Sequence, residues 1–131
     1  MESNRSVAGR RLLAVAAALL LAACAAEVVR SEARLEPVAD AQRVQVRLQE
    51  AAVIASSSGY SRTLPAGSLW ELRGSIAQGQ VYRRVDGILT VEGAQVHEAF
   101  VVLSGDRLVG FYLPVEQSFS PAREAVPAHF K

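Results

Sequence analysis

The reading of the fold turns on residues 95–113, Gln95-Val96-His97-Glu98-Ala99-Phe100-Val101-Val102-Leu103-Ser104-Gly105-Asp106-Arg107-Leu108-Val109-Gly110-Phe111-Tyr112-Leu113. Two runs rich in β-branched and aromatic residues, 95–103 and 107–113, flank Ser104-Gly105-Asp106. A two-residue Gly105-Asp106 loop makes a tight hairpin turn, because glycine and aspartate accept the backbone angles such turns require. That register pairs Leu103 with Leu108, Val102 with Val109 and Phe100 with Phe111. Phe100, Val102, Val109 and Phe111 then share one face, and Val101, Leu103, Leu108 and Tyr112 the other. Since both faces are apolar, the hairpin belongs inside a sandwich or closed barrel rather than on a one-sided sheet.

Working outward, Val44, Val46 and Leu48 alternate with Arg43, Gln45, Arg47 and Gln49, the period of a half-buried strand. Residues 51–57 extend it past a break at Glu50. Ser56-Ser57-Ser58-Gly59 and Leu64-Pro65-Ala66-Gly67 read as turns. Residues 69–76 form a strand with Trp70, Leu72 and Ile76 on one face and Glu71 and Arg73 on the other. Gly74 bends this strand or admits another backbone. Gln78-Gly79 turns the chain into a strand over 80–85. Asp86-Gly87 is a tight-turn pair leading into 88–92, and Gly93-Ala94 turns once more. The expectation is an all-β domain of about five to six short strands with turns every 8–12 residues or so. It would be a small bent antiparallel sheet, a barrel or a sandwich, with an SH3-like barrel as one form. Pro114 ends the last strand, and residues 118–131, with Pro121 and Pro127, read as an irregular C-terminal tail.

The beginning of the chain is of another kind. Arg5, Arg10 and Arg11 precede an unbroken Leu, Ala and Val run over residues 12–23, which is the pattern of a helical secretory signal peptide. Twelve helical residues span about 18 Å, too short for a hydrocarbon core of about 30 Å. The run closes on Leu21-Ala22-Ala23-Cys24, whose cysteine is the only one in the 131 residues. These four residues resemble the lipobox of bacterial lipoproteins: an aliphatic residue, two small residues, and the cysteine that is acylated, commonly with palmitate among its chains. The resemblance implies cleavage before Cys24 and lipid attachment at Cys24. It also implies a mature protein held to the membrane by two or three acyl chains, since a single chain binds only marginally. Ala25, where an aspartate commonly marks inner-membrane retention, implies anchoring in the outer membrane, facing the periplasm. Gly9-Arg10-Arg11-Leu12-Leu13 also carries a faint likeness to a twin-arginine signal. The resulting organisation is a signal peptide over 1–23, a lipidated tether over 24–42, a β-domain over 43–117 and the tail over 118–131.

Removing residues 1–23 takes three of 14 basic and one of 13 acidic side chains, leaving 11 and 12. A near-neutral mature domain lacks the basic field of a nucleic-acid binder, so no nucleic acid is expected as partner. With Cys24 acylated no thiol is left for a disulfide or a cysteine-ligated metal, and neither metal nor cofactor is expected. His97 and His129 are the whole histidine supply. His97 and Glu98 point to opposite faces if they are strand neighbours. The carboxylates available for acid–base work are Asp86, Glu92, Glu98 and Glu116, and no serine sits in a Gly-x-Ser-x-Gly frame.

Two function classes follow. The first is a non-catalytic binding or structural accessory of the cell envelope, held to the membrane through Cys24, its partner an envelope protein or peptidoglycan. Tyr60, Trp70, Tyr82, Phe111 and Tyr112 would supply an aromatic face edged by Arg73, Arg83 and Arg84, residue types that dominate interfaces. Trp70, Phe100 and Phe111 are equally the expected core. Tyr82, Arg83 and Arg84 are therefore the partner-binding candidates, since two adjacent arginines cannot both face a core. The alternative is a lipid-anchored hydrolase using carboxylates and His97, which requires His97 and two acidic groups in one cleft. Val96-His97-Glu98-Ala99-Phe100 and Gly110-Phe111-Tyr112-Leu113-Pro114 resemble small uncharacterised proteobacterial lipoproteins. That likeness implies no activity and adds no functional residue to Cys24.

Overall fold

The computed structural model describes residues 27–131. The leader and Cys24 lie outside the described residues. The domain is almost all β, with one 3-10 turn at Asp40–Gln42. Among the described residues there are twelve strands: β1 (Ser31–Glu32), β2 (Glu36–Pro37), β3 (Gln45–Arg47), β4 (Ala52–Ala55), β5 (Ser61–Leu64), β6 (Leu69–Ile76), β7 (Gly79–Arg84), β8 (Thr90–Glu92), β9 (Val96–Glu98), β10 (Phe100–Ser104), β11 (Arg107–Leu113) and β12 (Ser118–Pro127). Eight of them form one antiparallel sheet in the order β1-β12-β11-β10-β7-β6-β2, with β3 also beside β6. β4 with β5 and β8 with β9 make two separate hairpins.

The sheet has to curl. β1 and β2 sit at opposite ends of the strand order, yet only residues 33–35 separate them. Four residue steps reach about 14 Å, whereas six interstrand spacings in a flat sheet would need about 29 Å. The opposite curl is fixed by the end of the chain. Arg47 and Lys131 exchange backbone hydrogen bonds of 2.8 and 2.9 Å, the Gln49 amide donates to the His129 carbonyl at 2.8 Å, and Leu48 bridges Phe130. The half-barrel is thus strapped by residues 31–37 and seamed by residues 129–131.

Each face carries its own apolar cluster. Trp70, Leu48, Ile54, Leu64, Val91, Val101, Leu108, Phe111 and Leu113 pack together with the β4–β5 hairpin. Val81, Val102, Phe100, Tyr112, Phe119 and Ile76 pack on the other side, under Ala33 and Leu35 of the strap. Removing a ring as buried as Phe111 from such a core costs about 3–5 kcal/mol. The Trp70 indole stays satisfied where it is buried: Nε1 donates to Ser68 Oγ at 2.9 Å, and that hydroxyl donates to the Pro65 carbonyl at 2.6 Å.

The Gly105-Asp106 turn and the Leu103–Leu108 pair are as expected, but the register slips one step beyond them. Val102 faces Gly110, Val101 faces Phe111 and Phe100 faces Tyr112, because a β-bulge follows the turn. An extra residue on one strand sends the rest to the opposite face, so Phe111 joins Val101 and Leu103 while Val109 and Tyr112 join Phe100 and Val102. A second bulge between Leu72 and Gly74 moves Ile76 away from Trp70 and Leu72 in the same way. Gly74 does admit another backbone: a Cβ there would lie 2.2 Å from the Glu36 carbonyl oxygen.

Several boundaries need correction. The irregular tail over 118–131 is β12, at ten residues the longest strand, followed by the seam. Its prolines mislead because Pro121 borders the register shift against β11 and Pro127 is the last strand residue, both positions that lack a ladder requirement. The expected tether over 24–42 is docked within its described part: Val28 and Ala33 are buried, and residues 31–32 and 36–37 enter the sheet. The β-domain accordingly runs well beyond 43–117 in both directions. Asp86-Gly87 does not make a hairpin, because β8 leaves the sheet to pair with β9. The strand expected over 95–103 breaks at Ala99, whose amide donates to Leu89 at 2.9 Å. These breaks raise the strand number above five or six.

Candidate functional site

Tyr82, Arg83 and Arg84 lie at the end of β7, and the local alternation separates them. Tyr82 is buried, with its ring stacked on Phe130 at 5.8 Å and an interplanar angle of 8°. Its hydroxyl donates to Gln80 Oε1 at 3.3 Å, and burial raises its pKa above the ordinary tyrosine value. Tyr82 is therefore a core residue, and the proposed aromatic face does not form. Trp70, Phe111 and Tyr112 are buried as well, and of the five rings only Tyr60 is exposed. The expectation that Trp70, Phe100 and Phe111 are core is met.

The two arginines remain at the surface. Arg83 sits opposite Glu71 in the β6–β7 ladder and approaches Glu98 at 3.9 Å, a distance at which an exposed pair contributes little. Arg84 Nε donates to Asp86 Oδ1 at 3.0 Å, and the same oxygen accepts the Leu69 amide at 3.2 Å. The Arg84 hydrogen bond, helped by backbone amides and by the guanidinium charge, holds the Asp86 carboxyl below the ordinary carboxylate range against the opposing effect of burial. Arg84 is thus the fixed cation and Arg83 the freer one. Between them the chain opens a groove of about 380 Å³ lined by Glu71, Arg83, Arg84, Val85, Gly87 and Ile88. Ile88 is 73% exposed and Val85 44%. The sequence pointed to the arginines but not to these apolar partners, because residues 88–92 read as one strand directly after Asp86-Gly87. The chain instead crosses from β7 to the β8–β9 hairpin there, and Ile88 has nothing above it.

The carboxylates do not gather. Glu92 pairs with Arg62 at 2.6 Å, Glu98 with Arg83, and Asp86 with Arg84. Arg62 also donates to the Thr90 carbonyl at 3.0 Å, so that pair fastens β5 to β8. Glu116 alone meets His97, Oε1 to Nδ1 at 2.6 Å, with both side chains largely buried. This contact joins β9 to the turn between β11 and β12, and the sequence separation of 19 residues hid it. Burial raises the Glu116 pKa. The His97 hydrogen bond, the residue's own amide and the charges of His97 and Arg30 outweigh it, leaving the carboxyl below its ordinary value. Among the described residues Glu116 Oε2 has no hydrogen-bond partner.

A cavity of about 90 Å³ next to His97, lined also by Glu27, Val28, Arg30, Ala94 and Gln95, has room for a few water molecules. Among the described residues no hydroxyl or thiol hydrogen-bonds the His97 ring, and no three His, Cys, Asp or Glu side chains converge as a metal site would require. No helix among them is long and apolar enough to cross a membrane. Comparison of the chain with family models, with curated proteins and with solved structures gave no match.

Proposed function

We propose that this chain is an outer-membrane lipoprotein, acylated at Cys24 and facing the periplasm, whose β-domain serves the envelope as a non-catalytic binding accessory. Support for the anchor comes from the basic leader, the twelve-residue apolar run and Leu21-Ala22-Ala23-Cys24. Support for binding comes from one observation, the groove that sets exposed Ile88 and Val85 beside Arg83 and Arg84. Exposed apolar side chains beside two arginines suit a partner that offers a carboxylate next to an apolar side chain. An acidic segment of an envelope protein has that chemistry, and so does the stem peptide of peptidoglycan.

Photo-crosslinking in cells tests the reading and separates the two sources. A photoreactive side chain replaces Ile88 in the full chain, with Asp106, in the exposed β10–β11 turn, as the control position. Muramidase treatment that collapses the adduct identifies peptidoglycan; an adduct of fixed mass identifies a protein. Either adduct is expected to fall sharply in the Arg83→Glu background. Equal crosslinking from positions 88 and 106, or an adduct indifferent to Arg83→Glu, would remove the groove as the binding surface.

A further inference from the structure

One end of the fold collects apolar side chains that no packing argument accounts for. The chain enters the described structure there, and its first residues are docked immediately. Val28 is buried, the Val29 amide donates to Ser57 Oγ at 3.2 Å, and Ser120 Oγ donates to the Val29 carbonyl at 2.6 Å. Three turns gather around this point. Ser57 belongs to the β4–β5 turn, which also carries Tyr60. Ala94 and Gln95 of the β8–β9 turn share a cavity with Val28 and Arg30. The β11–β12 turn, with Val115 and Glu116, is pinned to the same place through Glu116 and His97.

Val115 is 80% exposed, Val96 67%, Val29 61% and Tyr60 48%. Single exposed apolar residues are ordinary on a protein surface, but four around one chain entrance call for a partner. Of the acidic groups at this end, Glu116 is engaged by His97 and Glu92 by Arg62, while Glu32, opposite Ser118, is exposed. Glu27 is exposed and has Arg30 on the same cavity wall. Arg123 adds a second cation beside Gly59, where a Cβ would meet its Nη2 at 3.4 Å.

The occupant follows from the chain outside the described residues and the point where it joins them. Cys24 is four residue steps before Val28, so the acylation site of the reading above lies within about 14 Å of this surface whatever path the backbone takes. The bilayer would begin there. We infer that the end bearing Val29, Tyr60, Val96 and Val115 is a bilayer-facing surface, seated in the lipid interface with Arg30 and Arg123 toward headgroup phosphates. Valine and tyrosine side chains at interfacial depth and arginines at headgroup level are the chemistry such a surface needs. The inference rests on the anchored reading, and it fixes the orientation of the domain: the chain entrance and the three turns lie against the membrane rather than hanging free beneath it.

The test uses the full chain, produced by export and reconstituted in vesicles of phosphatidylethanolamine and phosphatidylglycerol. With Cys24 acylated, a cysteine introduced as Val115→Cys, Val96→Cys or Asp106→Cys is the only thiol and takes an environment-sensitive nitrobenzoxadiazole label. Asp106 lies at the far end of β11, about 20 Å from the Val115 turn at ~3.4 Å per strand residue. The expected result is a blue-shifted emission at 115 and 96, quenched several-fold more by lipid-borne nitroxides than the label at 106. An acylated, vesicle-bound chain whose label is as wet at 115 and 96 as at 106 overturns the bilayer face and leaves the anchor standing. A chain whose mass shows no acyl group, and which does not float with vesicles, overturns both.

Discussion

Phe130→Ala should unfasten the barrel. The ring lies edge-on to Trp70 at a centroid distance of 6.1 Å and stacks on Tyr82 at 5.8 Å, while the backbone on both sides of it is bonded to Arg47 and Gln49. Truncating a fully buried phenylalanine costs about 3–5 kcal/mol. Phe130 is half-buried, so the lower range applies, about 2–3 kcal/mol, of which each aromatic contact supplies roughly 0.5–1.5. With a urea slope of about 1.5 kcal/mol per molar for a domain of this size, the unfolding midpoint should fall by roughly 1.3–2 M. Trp70, the single tryptophan, reports this transition directly because its indole touches the deleted ring. Val44→Ala, at an exposed side chain, serves as a reference and should change stability by less than about 0.5 kcal/mol. Phe130→Leu should recover a good part of the loss. If Phe130→Ala moves the midpoint no further than Val44→Ala does, residues 129–131 contribute nothing to closure and the seam is not a stabilising element.

Two further substitutions probe the strap and the His97–Glu116 contact. Gly74→Ala places a methyl carbon 2.2 Å from the Glu36 carbonyl, so β2 must separate from β6 at a cost of about 1–3 kcal/mol. Hydrogen exchange should quicken at the Val38 amide, which donates to Arg73, and stay slow at Lys131 in the seam; equal change at both would show a global effect instead. Glu116→Gln tests the pair with His97. Because the folded carboxyl is held below its ordinary value, its stabilisation is present above the unfolded pKa of about 4.3 and is lost as pH falls through the folded one. Wild type should therefore unfold at higher urea than Glu116→Gln at pH 7, with the gap closing on acidification toward pH 3. A gap that persists there would assign the effect to packing rather than to charge.

Short-range signals in the sequence proved informative and long-range ones did not. The Gly105-Asp106 turn, the alternation before Leu48, the serine turn before Tyr60 and the close approach at Gly74 are each dictated by a few neighbouring residues. The bulges that exchange Phe111 and Tyr112 between faces are set by how three strands curl together, so no alternation within β11 reveals them. The two outer segments misled for a related reason. Proline and mixed charge in residues 24–42 and 118–131 read as loop, yet β1 and β2 close the two ends of the sheet order and β12 lies inside it, its prolines at a register shift and at the strand end, where a missing amide costs little. Arg83 and Arg84 were legible as surface residues by simple adjacency. Tyr82 was not legible as core, because its burial depends on Phe130, which lies 48 positions downstream in the sequence numbering.

The strap and the seam also set the order in which this protein can come into being. The hairpins β6–β7 and β10–β11 close over a few residues, whereas Ser120 reaches Val29 across 91 positions. Loop closure costs more entropy as the separation grows, and domains dominated by distant pairings fold slowly. A chain that emerges N-terminus first exposes Val28, Ala33 and Leu35 long before β12 exists to cover them. The finished sheet therefore waits on residues 118–131, and until they arrive its apolar faces are open to whatever else is passing through the same compartment.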